Sequence, residues 1–179
     1  GMGDSATAAF AMAIGQNNTA SGYGSISIGG YNKSNGYRGT AIGYQNNSSG
    51  YQSYTFGYQN ISSGDQSSAI GCNNEATNFR ATALGTYTYA TGWESISLGS
   101  MYTTASGLNS VAIGYHTIAS GNYSTTIGSS ITAAGVHSFG IGLNSSSYTI
   151  TDANTMAIMG GEVGIGTTTP QGTLDVNGS

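Results

Sequence analysis

The chain has 179 residues, enough for one domain. Only 6% of them are charged, glycine occurs 30 times and proline once, which excludes collagen, where glycine falls every third residue among many prolines. The net charge is −4 and only Lys33, Arg38 and Arg80 are positive, so no nucleic-acid partner is expected, because such a groove needs many cations to displace counterions.

The chain opens on Gly1-Met2-Gly3 without a visible signal peptide, and upstream sequence is expected to be missing. No run of about 18 apolar residues occurs, so no membrane insertion is expected in this fragment. The single cysteine, Cys72, allows neither an intrachain disulfide nor a thiolate metal cage and reads as a small buried thiol. No metal and no cofactor are expected.

From Ile14 onward one beat dominates. Glycines recur at Gly15, Gly29, Gly43, Gly57, Gly71, Gly85 and Gly99, every fourteenth residue, then at Gly114 after one extra residue, then at Gly128 and Gly142. Each follows a large apolar residue: Ile14, Ile28, Ile42, Phe56, Ile70, Leu84, Leu98, Ile113, Ile127 and Ile141. Halfway between them lies a second column, Gly22, Gly36, Gly50, Gly64, Gly92, Gly107, Gly121 and Gly135. Asn78 fills the vacant slot, which suggests a positive φ there. So regular a period predicts stacked identical units.

Ser25-Ile26-Ser27-Ile28-Gly29 and Ser110-Val111-Ala112-Ile113-Gly114 alternate with the two-residue period of a strand. One period therefore reads as one coil of a parallel β-solenoid: strand, turn, strand, turn, with about five residues per strand. At about 4.8 Å per coil, nine coils make a rod roughly 45 Å long.

Two columns are small throughout: Ser27, Ala41, Thr55, Ala69, Ala83, Ser97, Ala112, Thr126, Gly140, and Ala20, Ser34, Ser48, Ser62, Ala76, Ala90, Ala105, Ala119, Ala133. If they face each other, the coil is thin and the large apolar column points outward. The alternative is a wider coil with the aliphatics inside. The thin coil is favoured, and ten outward apolar residues in a line then demand a partner surface.

Asn109-Ser110-Val111-Ala112-Ile113-Gly114 closely resembles the head repeat of YadA-like trimeric autotransporter adhesins, with Thr117 where that family usually has serine. The resemblance covers roughly residues 5 to 142. It implies a left-handed parallel β-roll assembled as a homotrimer on an extracellular fibre, at a bacterial cell surface or on a virion or tail fibre. It also implies that the column from Ile14 to Ile141 is the trimer interface. Copies of this motif in the family have been linked to matrix-protein binding, which bears here on residues 109–114 alone.

After Gly142 the beat stops, and Met156-Ala157-Ile158-Met159-Gly160 is a late, imperfect copy. Residues 161–179 resemble a segment that often precedes the C-terminal region of phage tail fibres and related trimeric surface proteins. The expected division is a β-roll head over 1–142 and a connector over 143–179, a neck intertwined in the trimer, within a chain that is itself a fragment.

Asn18, Asn32, Asn46, Asn60 and Asn74 share a column and read as a hydrogen-bonded ladder from coil to coil. Tyr23, Tyr37, Tyr51, Asp65, Phe79 and Trp93 share another, just after the midway glycine. Its aromatics either stack on one another and cover the turn or form a platform for a host surface glycan or a matrix protein. Tyr44, Tyr58 and Tyr115 repeat the idea at the other turn.

Catalysis has little basis. Asp65, Glu75 and Glu94 fall in different columns and coils, whereas glycoside hydrolysis needs two carboxyls about 5–9 Å apart. His116 and His137 share no column, and no serine–histidine–acid set is evident. The column Ile26, Thr40, Tyr54, Ser68, Thr82, Ile96, Val111, Thr125, Phe139 is too uneven for an ice-binding face. No enzyme activity is expected. The expected function is a trimeric fibre head attaching to a host or cell surface by multivalent binding; the alternative is a structural spacer.

Overall fold

In the computed structural model, which describes residues 1–177, the chain winds into an all-β parallel β-solenoid. Most coils carry one longer and one shorter strand, which merge into one in Thr82–Ala90 and Ile96–Ala105. Ile26–Gly30, Thr40–Tyr44, Tyr54–Tyr58 and Ser68–Cys72 are typical longer strands, and Lys33–Ser34, Asn47–Ser48 and Ile61–Ser62 typical shorter ones. Pairing is in strict fourteen-residue register: Ile28 faces Ile42, Ile42 faces Phe56 and Phe56 faces Ile70. The second strand has two residues rather than the expected five. It ends early because the amides of Ser21 and Gly22 share one acceptor, the Ser34 carbonyl, at 3.0 and 3.3 Å, and the chain then turns.

That turn is closed by Ser25 N donating to Gly22 O at 3.0 Å. Its third residue has positive φ, as in a type II turn. At Gly24 that residue is glycine; elsewhere it is Phe10, Arg38, Gln52, Gln66, Arg80, Glu94, Asn109, Tyr123, His137 or Asn154. The opposite corner repeats the conformation at Tyr31, Gln45, Gln59 and Asn73, so a left-handed residue recurs every seven positions. Each would cost about 1–2 kcal/mol on its own. Stacking holds them there: strand amides donate to the next coil, as from Ile26 to Gly39 O, whereas these amides donate back, as from Arg38 to Tyr23 O at 2.8 Å and Gln45 to Gly30 O at 2.9 Å.

In both glycine columns a Cβ would collide with the carbonyl of the next coil, but one column also needs a positive φ. Gly15, Gly29, Gly43 and Gly57 have φ between 117° and 130°. The midway glycines do not; there, a Cβ on Gly22 or Gly50 would collide with the carbonyl of the glycine one coil on. Asn78 therefore does not hold a positive φ, contrary to expectation. Its side chain works locally instead: Nδ2 donates to Thr91 O at 3.1 Å and Oδ1 accepts from Phe79 N at 2.9 Å.

The interior is thin and made of small residues. Ser27, Ala41, Thr55, Ala69, Ala83 and Ala112 face inward from one side, and Ala20, Ser34, Ser48, Ala76, Ala90 and Ala119 from the other, all fully buried. Hydroxyls pair across the gap, as Ser48 Oγ and Ser53 Oγ do at 2.6 Å. Near the far end the filling changes. Ile131 and Ile150 turn inward, and Gly140 stands opposite because a Cβ there would lie 3.0 Å from both isoleucine methyls.

Two insertions interrupt the period. Thr86 pairs with Ser100 but Thr88 with Thr103, so Met101 and Tyr102 together face Tyr87 at the corner, both at positive φ. Further on, Phe139 pairs with Met156 and Ile131 with Tyr148, three residues later than the period predicts. The coil ladder thus runs past Gly142 to Met159. Beyond it, Val163–Ile165 and Leu174–Val176 form a separate parallel pair. The connector expected over 143–179 includes Gly178 and Ser179, which lie outside the described residues.

Candidate functional site

Three columns organise the molecule, and each follows from a residue's place in the coil. The first is internal. Asn46 donates its Nδ2 to Asn32 Oδ1 at 3.1 Å, to Ile42 O at 3.0 Å and to Gly57 O at 2.7 Å, while its Oδ1 accepts from both the backbone and side-chain nitrogens of Asn60 at 3.0 Å. Asn18, Asn32, Asn60 and Asn74 repeat these bonds. All five are buried, so this ladder stabilises the fold and offers nothing to a ligand. Asp4 heads it, accepting from Asn18 N at 2.9 Å. That backbone hydrogen bond, with further bonds from the Asn18 side chain and the Gly1 ammonium, lowers the Asp4 pKa to about 2. Thr88, Thr103 and Thr117 continue the column with fewer bonds.

The second column is the line of large apolar residues ending each longer strand. It lies on the outer surface. Ile14, Phe56, Ile70, Leu84, Leu98 and Ile127 are exposed, between 37% and 52%, and Ile28, Ile42, Ile113 and Ile141 are half-buried. Two residues earlier, on the same face, Met12, Tyr54 and Ile96 are also exposed. Bulky side chains are excluded from an interior sized for alanine and serine, and the two-residue alternation leaves them only the outside.

The third column lies at the turn. Tyr23, Tyr37 and Tyr51 stack with centroids 5.2 Å apart and planes within 8°, each 40–44% exposed. Phe79 and Trp93 form a second pair at 4.8 Å, tilted by 42°. The five residues are therefore brought to one edge but in two groups, divided by Asp65. At the other corner Tyr44 stacks on Tyr58 at 5.8 Å, while Tyr115 stands apart, nearest His116. Cys72 continues that corner after Tyr58 and is half-buried on the outside, not the buried thiol expected, because its slot faces outward.

Sequence reasoning missed several aromatic contacts, among them Tyr31 edge-on to Tyr44 at 5.5 Å and Tyr123 against His137 at 4.9 Å. Phe10 caps the first stack, edge-on to Tyr23 at 5.4 Å. Tyr102, carried outward by the inserted residue, lies 5.8 Å from Tyr87 and 6.2 Å from Tyr89. The lone fifteen-residue spacing was the available signal. Burial, and then the Glu75 carboxylate, raise the Tyr89 pKa.

A cavity of about 410 Å³ lies away from these columns, at the last coil, lined by Tyr148, Ile150, Asp152, Ala157 and Met159. No cluster of potential metal ligands occurs among the described residues.

A search of curated proteins finds no match to the chain. Among protein families, the YadA head domain repeat (2 copies) matches residues 6–32, 34–53, 55–73, 76–100 and 105–130, well over half of the chain. These segments coincide with the coils whose glycine, asparagine and aliphatic columns are described above, and the chain belongs to the YadA head domain repeat family.

Proposed function

We propose that this β-solenoid is the head of a homotrimeric extracellular fibre, on a bacterial cell surface or on a virion or tail fibre, and that it attaches to a host or cell surface by multivalent binding. The observation that carries the reading is the outward apolar column. Ten large apolar residues aligned along one face, six of them more than a third exposed, form a continuous strip of a kind monomeric proteins rarely leave uncovered. Three copies packing these strips together would bury them around a common axis, as a left-handed β-roll trimer. The segment after the coils would then be the neck, where chains intertwine: Ile165, Leu174 and Val176 are each more than half exposed in the single chain.

The aromatic column is the contact surface in this reading, for a host surface glycan or a matrix protein. Aromatic rings at an exposed turn supply large, rigid contact area. Charges are few, so binding would tolerate salt, and three copies per fibre would raise weak affinity through avidity.

Light scattering on wild type and on Ile113→Asp/Ile127→Asp tests the assembly. The expected result is a wild-type trimer and a variant that fails to assemble, because unpaired carboxylates would be buried at the axis. A stable, folded wild-type monomer overturns it. Tyr37→Ser/Tyr51→Ser/Trp93→Ser tests the contact surface on host cells. A folded, trimeric variant that binds as well as wild type makes the column an internal stack and the protein a spacer.

A further inference from the structure

The aromatic column has one missing rung. Tyr51 and Phe79 lie two coils apart with Asp65 between them, which separates their rings by roughly 10 Å at the usual coil spacing. In the unbroken part of the column neighbouring rings stand 5.2 Å apart. A ring placed in the gap would therefore sit about 5 Å from each wall, within stacking range.

Asp65 does not fill the gap. Its Oδ1 turns back to accept from the Tyr51 backbone amide at 2.9 Å, and its second oxygen makes no hydrogen bond among the described residues. Asn122 makes the same bond to the Leu108 amide at 3.0 Å, so this is how a short acceptor settles in the column. The rim is polar in both senses. Gln66 Oε1 accepts from Arg80 Nε at 2.9 Å, which leaves the Gln66 amide N–H groups to donate elsewhere. Arg80 Nη1 is held by Glu94 at 3.2 Å, and its guanidinium lies 4.8 Å from the Phe79 ring. The equivalent Arg38 lies 5.4 Å over Tyr37, whose two neighbours in the column are tyrosines stacked on it, so at that coil the arginine does not displace the stack.

We infer that the gap between Tyr51 and Phe79 is a binding site for a neutral pyranose ring, stacked between the two aromatic walls and donating a hydroxyl hydrogen bond to Asp65. A sugar hydroxyl both donates and accepts, which suits a rim offering the Asp65 carboxylate and the Gln66 amide together. A guanidinium only donates and would meet the like charge of Arg80. The inference rests on reading the aromatic column as the contact surface, and it names the position and the ligand class.

Filling the gap is the test. Asp65→Tyr restores the missing rung, and the fold should tolerate it, since Tyr37 and Tyr51 follow Tyr23 in this column with no such side-chain bond to the amide of the coil before. Wild type, Asp65→Tyr, Asp65→Asn and Thr117→Val are titrated with methyl glucoside, methyl galactoside, N-acetylglucosamine and their short oligomers. Ring-proton NMR shifts and Trp93 fluorescence report binding. The expected result is a shift of the Tyr51 and Phe79 rings in wild type, retained in Thr117→Val, whose change is buried in the internal column, and weakened at least about tenfold in a folded Asp65→Tyr. Asp65→Asn, which keeps an acceptor but loses the charge, should fall between. Undiminished sugar binding by Asp65→Tyr overturns the gap site and leaves the platform reading standing. A wild type that binds no sugar but takes up an arginine-bearing peptide at Tyr51 and Phe79 overturns the ligand class. Loss of host-cell binding in the aromatic triple variant, without any shift at Tyr51 or Phe79, overturns the site while keeping the surface.

Discussion

Asn46 Nδ2 lies 2.7 Å from the carbonyl oxygen of Gly57, eleven residues on and one coil away. The same nitrogen holds Ile42 O in its own coil and Asn32 Oδ1 in the coil before, so one buried amide ties three coils together. Asn46→Ala would leave the buried Asn60 nitrogens without their acceptor, and the Ile42 and Gly57 carbonyls, nearer the surface, without this donor. The expected loss is about 3–5 kcal/mol, as for other broken buried networks. Asn46→Thr should lose less, because Thr88 occupies this column and still donates to Asn74 Oδ1 at 2.7 Å. Denaturant unfolding of both variants checks the order.

Thr117 presents the reverse situation. It continues the asparagine column, is fully buried, and its hydroxyl has no hydrogen-bond partner. Thr117→Val keeps the shape and removes the stranded hydroxyl. Stability should rise by about 1 kcal/mol, seen as a higher melting temperature. A fall would mean that the hydroxyl is satisfied in solution.

The period made the solenoid legible, and it did so because every coil must repeat the same backbone to stay in register with the next. Small columns against large ones also told inside from outside, since a chain that encloses alanine and serine has no room for isoleucine. What the spacing could not convey was the reason behind each glycine. Gly29 needs a positive φ as well as the absence of a Cβ and Gly22 needs the latter alone, yet both read alike, and Asn78 was misread for that reason. Past Gly142 the signal was lost because three residues enter the turn before Tyr148 while the strands stay in register. At the aromatic edge the sequence placed the five rings in one column but did not reveal that Asp65 folds back onto the Tyr51 amide and leaves a space.

The insertion at the Met101–Tyr102 corner is removable. Both residues hold positive φ where Tyr31, Gln45, Gln59, Asn73, Tyr87, His116 and Ser130 each stand singly at that corner, and the register beyond them is regular again at Thr104 and Ile118. Deleting Met101 would bring Tyr102 opposite Tyr87 alone and relieve one left-handed residue, a strain of about 1–2 kcal/mol. The variant should keep its β-sheet circular dichroism and melt a few degrees higher, about 2–4 °C per kcal/mol for a chain of this size. A lower melting temperature would assign the protruding Tyr102 cluster a stabilising role instead.

The head of the asparagine ladder should be sensitive to acid. Asp4 accepts hydrogen bonds from the backbone and side-chain nitrogens of Asn18 at 2.9 and 3.0 Å, and these, the backbone bond foremost, together with the Gly1 ammonium favour the carboxylate, lowering its pKa from 3.8 to about 2. A folded-state pKa below the unfolded one adds stability above the unfolded value, and that stability disappears as pH falls through the folded pKa. The first coil should therefore hold down to about pH 4 and loosen progressively between pH 4 and 2. In NMR the Asn18 amide should titrate with a midpoint near 2 and not near 3.8. Asp4→Asn gives the sharper comparison. An asparagine here extends the ladder by one rung, its Oδ1 accepting the same two bonds at any pH, so the variant's Asn18 amide should not move over this range. If wild type and variant respond alike, or if the wild-type midpoint lies at the ordinary carboxylate value, the Asn18 bonds do not hold the charged form.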